Sequence, residues 1–190
     1  MAAAVRVFAQ HGYSGSRMTD IATEAGVAVQ TVYFAFHTKP ELVQACYEHA
    51  VLGPERVPPP QQTWHRDIMR ARSARAAIKH FAGGNAEILA RAAVIDDIAR
   101  SASHEPEIAE VRGRSEDLRR VGYHEILSSV HARFGLRRGL TVDRAVDLAL
   151  ALAGPQLYLQ LRSYGWTQQQ YVAWLAATLE QQLLVPPSPR

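Results

Sequence analysis

The chain has 190 residues, of which 47% are hydrophobic, 21% charged and 8% aromatic. These proportions are typical of a globular protein and exclude a disordered or collagen-like chain. The single cysteine, Cys46, excludes an internal disulfide and a zinc site made of several cysteines. No apolar run approaches the roughly 20 residues that a membrane span needs, and the first residues lack the pattern of a signal peptide. We therefore expect a cytoplasmic protein with no membrane partner.

The formal net charge of +3 is unevenly distributed. Residues 1–50 are near neutral, with three basic against four acidic side chains. The excess of arginine lies in two later groups, at 66–75 and at 112–120. Such blocks are usually solvated helix faces. Charge alone therefore does not indicate a nucleic-acid partner.

Helical spacing of apolar residues runs through nearly the whole chain, and no alternating run predicts a strand. Gly26 suits the left-handed end of a helix. Thr38 and Glu41 form a capping box that starts another helix. Four helices are predicted in this first part of the chain, over about residues 5–10, 18–25, 29–35 and 39–52.

Gly53-Pro54 and the prolines at 58–60 break the fourth helix and form the clearest linker in the chain. The residues around 73–103 predict one long helix, or two that meet near Gly83-Gly84. Pro155 is expected to kink its helix. The remaining predicted helices cover about 64–71, 105–134, 141–164 and 168–184, before a frayed tail at 186–190.

Residues 145–161 are apolar on nearly all faces, so a helix there must be covered on every side. Tyr171, Leu175 and Leu179 form an apolar stripe on the last helix, and Trp174 widens it. A subunit interface and a monomeric core are both compatible with this pattern. We favour the interface and expect a homodimer formed through about residues 141–184.

The segment 18–39 carries the functional signal, because two short helices flank a tight turn that contains a glycine, as in a helix-turn-helix. Ile21 and Ala22 point inward, and Val27, Val32 and Phe36 are expected to match them after the turn. The second helix then presents its other side chains to a DNA major groove. Those side chains are Val29, Gln30, Thr31, Tyr33 and Phe34.

Each of these residue types suits one kind of DNA contact. Gln30 is suited to paired hydrogen bonds with adenine, and Val29 to a thymine methyl group. Thr31 suits a base or a phosphate. Tyr33 and Lys39 suit phosphate oxygens, which fix position without reading sequence. The alternative for Tyr33 is a packing role with its hydroxyl at the surface.

This segment resembles the TetR family of transcriptional regulators. The family pattern has an aromatic end to the first helix, a Gly-aromatic turn, an Ile-Ala pair, Ala-Gly-Val, Thr-x-Tyr-x-x-Phe and a lysine before the fourth helix. The resemblance covers about residues 5–45. The matching residues are Val7-Phe8, Gly12-Tyr13, Asp20-Ile21-Ala22, Glu24-Ala25-Gly26-Val27, the run from Thr31 to Phe36, and His37-Thr38-Lys39.

The resemblance implies an all-α homodimer with a three-helix DNA-binding domain over residues 1–45 and a larger effector-binding and dimerisation domain over 46–190. It also implies that the last two helices form the dimer interface. Arg17 and Thr19, at the start of the second helix, become candidate phosphate contacts. His37 is either a phosphate contact or a turn residue.

Two features depart from the family pattern. Ala28-Val29-Gln30 replaces the usual small polar, basic and glycine residues, so base readout is expected to depend on Gln30, Thr31 and apolar contact. No basic stretch precedes the first helix. Since phosphate neutralisation supplies most non-specific affinity, either DNA binding is weak or the natural start lies upstream of Met1.

An effector cavity is expected among the helices from about 64 to 161, lined by apolar and aromatic groups. Each candidate lining residue also has a plain core role as its alternative. A cationic effector favours Asp96 or Asp97 as its partner, and an anionic effector favours an arginine. The candidates are Phe81, Ile88, Ile95, Tyr123, His124, Leu127 and Tyr158.

No pattern in the chain predicts an enzyme, a cofactor or a metal site. His124 and His131 lie two helical turns apart, too far to share one zinc ion without further ligands. No serine elbow, Walker loop or dinucleotide glycine motif occurs. An all-helical hydrolase that uses histidine and aspartate lacks any matching motif.

The sequence thus predicts a ligand-responsive regulator, most simply a repressor, that binds a pseudo-palindromic DNA operator as a dimer and is released by a small-molecule effector. The alternative is a helical small-molecule-binding protein whose DNA binding is weak or lost. The near-neutral N-terminal half favours that alternative slightly.

Overall fold

The computed structural model describes residues 1–185, and in that range every regular element is a helix. This confirms the all-α fold. The tail predicted at 186–190 lies outside the described residues. The helices are α1 (Ala2–Gly15), α2 (Met18–Ala25), α3 (Val29–Phe36), α4 (Lys39–Leu52), a 3-10 turn (Pro59–Gln61), α5 (Thr63–Arg70), α6 (Ala74–Ser101), α7 (Pro106–Phe134), α8 (Val142–Leu152), α9 (Pro155–Ser163) and α10 (Gln168–Leu183).

The chain divides into two compact units. The first unit combines residues 1–56 with residues 91–116. The second combines residues 57–90 with the chain from residue 117 onward. Helices α6 and α7 each have one part in the first unit and the rest in the second.

The first unit has one apolar core shared by its helices. Phe8, Leu42 and Val43 are buried in it, and Ile95 and Ile108 join them from α6 and α7. Burial of such side chains contributes roughly 1.5–3 kcal/mol each relative to exposure. The helices of the helix-turn-helix therefore pack on a support that includes parts of α6 and α7.

Helix α6 runs without a break through Gly83-Gly84, so the one-helix alternative is confirmed. A side chain at Gly84 would overlap the indole ring of Trp64 from α5. At Gly83 the corresponding position is open. The glycine pair therefore does not divide the helix; Gly84 makes room for an aromatic ring.

Pro155 begins a new helix, so the prediction of a kink within a single helix was wrong. Helix α8 ends at Leu152, Gly154 is extended, and Pro155 is the first residue of α9. Proline favours an extended residue before it and fits the first turn of a helix, where no backbone donor is needed. In the second unit, the amide of Asn85 donates to the carbonyl of Ala153 at this break, at 3.2 Å.

The two neighbouring glycines of α6 give a matched pair of variants. Gly84→Ala is expected to lower the free energy of unfolding by about 1–3 kcal/mol, because the new methyl group displaces Trp64. Gly83→Ala is expected to raise it by about 0.5–1 kcal/mol, because alanine favours the helix and meets no neighbour. Urea unfolding followed by circular dichroism measures both. Equal stability of the two variants would contradict this packing.

Candidate nucleic-acid interface

Helices α2 and α3 meet at the tight turn around Gly26, whose φ of 67° lies in the left-handed region. The confirmed bounds of α2 are Met18–Ala25. Ile21, Ala22 and Val32 are buried and hold the two helices together. Val27, expected to pack inward, is 44% exposed. Val32, on the inner face of α3, therefore makes this contact, and Val27 does not.

The outer face of α3 carries exposed polar and aromatic side chains. Gln30 and Thr31 are exposed, Tyr33 is 48% exposed, and Phe34 is 85% exposed. Val29 is half-buried and packs against the core of the first unit, so it presents less surface than the sequence suggested. Gln30, Thr31, Tyr33 and Phe34 thus form one accessible surface, here called the α3 face.

Two further candidates lie beside this helix pair. Arg17 and Thr19 are exposed at the start of α2, where the backbone N–H of Arg17 donates to the Asp20 carboxylate at 3.1 Å. His37 is exposed at the end of α3 with a φ of 33°, which is unusual for a residue other than glycine. Its backbone N–H donates to the Tyr33 carbonyl at 2.9 Å. His37 therefore has a defined role as the residue that ends α3.

Lys39 has a structural role that the sequence did not reveal. Its ammonium donates to the carbonyls of Tyr13, at 2.8 Å, and Ser16, at 3.2 Å. It also lies 4.1 Å from the centre of the Tyr13 ring. Lys39 therefore binds the start of α4 to the end of α1, and most of its donor capacity is used inside the domain.

The start of α4 agrees in part with the predicted capping box: Thr38 caps the helix, but the backbone N–H of Thr38 donates to the Phe36 carbonyl and not to Glu41. The hydroxyl of Thr38 accepts from the backbone N–H of Glu41 at 3.3 Å, as expected for the residue before the helix. The same hydroxyl donates to the Glu41 carboxylate at 3.2 Å. Thr38 and Lys39 together fix the position at which α4 begins.

Further along α4, a buried polar contact joins it to α6. The Tyr47 hydroxyl donates to the Asp96 carboxylate at 3.1 Å. The Arg112 side chain from α7 lies 3.8 Å from the same oxygen. Burial, and secondarily the charge of Asp96, raises the pKa of Tyr47 far above its usual value. Asp96 therefore makes its contacts inside the first unit. Its neighbour Asp97 forms an ion pair with Arg100 at 2.7 Å.

The candidate effector residues separate into three locations. Phe81, Tyr123, Leu127 and Tyr158 are buried in the second unit, and Ile88 there is half-buried. The rings of Phe81 and Tyr123 meet edge to face at 4.9 Å.

The remaining two candidates lie elsewhere. Ile95 belongs to the core of the first unit. His124 is exposed, with its ring 3.5 Å from the Asp143 carboxylate.

The buried side chains of Phe81, Tyr123 and Tyr158 are here called the aromatic group. Three residues near this group were missed by sequence reasoning: Asn85, Arg119 and Tyr171. The Tyr123 hydroxyl donates to Asn85, and Arg119 lies 5.9 Å from the centre of the Tyr123 ring. Tyr171 packs edge to face on Tyr158 at 4.9 Å. The aromatic residues were visible in the sequence, but nothing in it indicated which polar groups the helices bring to them.

Within residues 1–185, no helix has the length and apolar character of a membrane span, and no cluster of three or more potential metal ligands occurs. An open groove of about 550 Å³ lies along α10. It is lined in part by Arg75, Phe134 and Glu180 and by none of the candidate effector residues. The aromatic group is therefore separate from this groove.

The geometry of the first unit is that of a helix-turn-helix DNA-binding domain. Residues 1–46 match the family model described as bacterial regulatory proteins, tetR family. Over these N-terminal residues the chain is therefore similar to the tetR family. No curated protein matches the chain.

Solved structures share the fold across nearly the whole chain. The transcriptional regulator FadR from Bacillus subtilis, in complex with stearoyl-CoA, is 20% identical, with a TM-score of 0.70 over 94% of this chain and 93% of its own. FadR from Bacillus halodurans is 17% identical, with a TM-score of 0.72 over 94% and 91%. The ketosteroid regulator KstR2 of Mycobacterium tuberculosis is 18% identical, with a TM-score of 0.64 over 97% and 93%.

Two Tyr→Phe variants separate structural from surface roles in the first unit. Tyr47→Phe removes the buried hydrogen bond to Asp96 and is expected to lower the free energy of unfolding by about 1.5–3 kcal/mol. Tyr33→Phe removes an exposed hydroxyl and is expected to change it by less than about 0.5 kcal/mol. Urea unfolding compares the two. If Tyr47→Phe were as stable as the wild type, the contact would have no structural role.

Proposed function

We propose that the protein is a ligand-responsive transcriptional repressor that binds a pseudo-palindromic operator as a homodimer and releases it when a small molecule binds. The observation that carries this proposal is the α3 face, which is exposed in a domain of the tetR family. A recognition helix contacts base edges through the outer side chains of such a face. Polar and aromatic groups with no packing role there are consistent with a surface kept for a partner.

The side chains of the α3 face divide between reading and positioning. Gln30 reads adenine through paired hydrogen bonds, and Thr31 contacts a base or a phosphate. Phe34 contacts thymine methyl groups or the sugar edge. The Tyr33 hydroxyl, with Arg17 and Thr19 at the start of α2, holds phosphate oxygens and so fixes the register.

Few charges support this contact. Residues 1–50 carry three basic side chains, and one of these, Lys39, is already bonded to two carbonyls. Since each neutralised phosphate steepens the dependence of affinity on salt, we infer a shallow salt dependence and a modest non-specific affinity. Specificity then depends more on Gln30 and its neighbours.

Dimerisation through α8, α9 and α10 is part of the proposal. Each of these helices keeps apolar side chains that remain partly exposed in a single chain. A second copy would cover them, and operator binding by such a dimer requires two α3 helices about one helical turn of DNA apart. Those side chains are Leu148, Leu150, Leu152, Leu157, Leu159, Leu161, Val172 and Trp174.

Release by an effector requires a connection to α3, and α4 offers one. Within the first unit, α4 is tied to α1 by Lys39 and to α6 by the Tyr47–Asp96 hydrogen bond. A displacement of α6 would therefore shift α4 and the helices packed on it. A ligand shifts this equilibrium only by its differential affinity for the two arrangements.

Two substitutions on the α3 face test the reading role. Gln30→Ala is expected to change which base is preferred at one operator position, with a loss of roughly 1–3 kcal/mol at the preferred base. Tyr33→Phe is expected to weaken binding evenly across sequences. Fluorescence anisotropy with the DNA upstream of the gene, and with variants at single positions, measures both. An equal loss on all sequences after Gln30→Ala would argue against base reading.

A second candidate is a small-molecule-binding protein that no longer binds DNA. The near-neutral N-terminal residues and the internal bonds of Lys39 favour it. A gel shift with the same DNA at low salt separates the candidates. A shift that weakens as salt rises supports the repressor, and the lack of any shift at low salt supports the second candidate.

A further inference from the structure

The second unit buries a hydroxyl group that has no hydrogen-bond partner. Tyr171, on α10, is fully buried, and its hydroxyl meets no donor or acceptor in the described residues. Buried polar groups without partners are rare, and each one calls for an explanation. A bound molecule that supplies the partner is one such explanation.

The polar groups around Tyr171 already bond to one another. The Tyr158 hydroxyl donates to Gln168 at 2.7 Å, and the Gln168 amide donates to the Ala86 carbonyl at 2.8 Å. The Tyr123 hydroxyl donates to Asn85. The Tyr171 hydroxyl thus stands apart as an unused donor in a group whose other members are engaged.

Arg119 is the cation that acts on this hydroxyl. Burial raises the pKa of Tyr171 well above its usual value, and the Arg119 guanidinium opposes that rise. Arg119 is half-buried and lies beside the Tyr123 ring. The acids that sequence reasoning considered, Asp96 and Asp97, both belong to the first unit. A buried hydroxyl donor that a guanidinium influences suits an anionic oxygen, since hydrogen bonds to charged acceptors are the stronger ones.

The surroundings of the hydroxyl are aromatic. Tyr158 meets Tyr171 edge to face at 4.9 Å, and the Trp174 ring lies at 6.1 Å. Trp166 packs on Trp174, also at 6.1 Å. Such walls favour an apolar ligand body, as in most small-molecule sites.

We propose that Tyr171 and Arg119 bind the carboxylate of an apolar monocarboxylic acid, whose hydrocarbon part lies among the aromatic rings around Tyr158 and Trp174. This inference rests on the proposed function, because the acid is the effector of that function. Tyr171 is fully buried, so the ligand must separate packed side chains to reach it. Binding therefore favours an arrangement of the second unit different from the closed one.

The test compares three eight-carbon probes with the full-length protein: octanoate, octan-1-ol and octylammonium. Trp174 lies close enough to Tyr171 for tryptophan fluorescence to report occupancy. At neutral pH we expect octanoate to bind at least tenfold more tightly than the alcohol, and the amine to bind most weakly. Equal affinity for octanoate and octan-1-ol, or no saturable signal with octanoate at millimolar concentration, would overturn the proposal.

Variants with matched controls identify the anchor. Tyr171→Phe and Arg119→Met are each expected to weaken octanoate binding about tenfold or more while binding of octan-1-ol stays unchanged, since a hydrogen bond to a charged group is lost. Tyr164→Phe and Arg120→Met, which alter exposed neighbours, are expected to bind octanoate as the wild type does. Unchanged octanoate binding by Tyr171→Phe or Arg119→Met would overturn the proposal.

Thermal unfolding and DNA binding keep the outcomes distinct. Tyr171→Phe removes an unpartnered hydroxyl, so its midpoint of unfolding is expected to equal or exceed that of the wild type, and weaker octanoate binding then reflects the site. If octanoate binds as expected and no DNA is bound, the proposed function fails and the site stands. If DNA is bound and octanoate is not, this inference fails alone.

Discussion

The structure depends first on the shared apolar core of the first unit. Phe8 of α1, Leu42 of α4 and Ile95 of α6 are buried in it together, so the helix-turn-helix is supported from several directions. Lys39 adds two hydrogen bonds between the start of α4 and the end of α1. Because α3 is held through Val32 on its inner side, the opposite side is left exposed and fixed in direction. The proposed DNA contact follows from that constraint.

A different principle operates in the second unit. In the part of this unit that the structure describes, the Tyr171 hydroxyl is buried without a hydrogen-bond partner. In the first unit, by contrast, Asp96 is buried with a hydroxyl and a guanidinium beside it. The polar cluster around Asp96 stabilises the support of the helix-turn-helix. For the unpartnered hydroxyl of Tyr171 we propose a role in binding a ligand. Both clusters include residues of α6, and α6 is therefore the element through which we propose that an effector acts on α4.

Local patterns predicted the helices well, because caps and breakers act over a few residues. Gly26 ended α2 and Thr38 began α4 where expected, whereas Pro155 separated two helices instead of kinking one. Roles that depend on distant residues were not predictable. Nothing near Lys39 indicated that its ammonium would reach the carbonyls of Tyr13 and Ser16. Likewise, Arg119 lowers the pKa of Tyr171 although the two residues are 52 positions apart in the chain, because only packing gives them an influence on each other.

The central claim is that two copies of α3 enter successive major grooves of one DNA duplex. Protection of guanine N7 from dimethyl sulfate measures this directly, since that atom lies in the major groove. With the DNA upstream of the gene, the account predicts two protected clusters centred about one helical turn or slightly more apart, related by an approximate two-fold axis. Protection that is absent while the protein is bound, or confined to a single cluster, would contradict it.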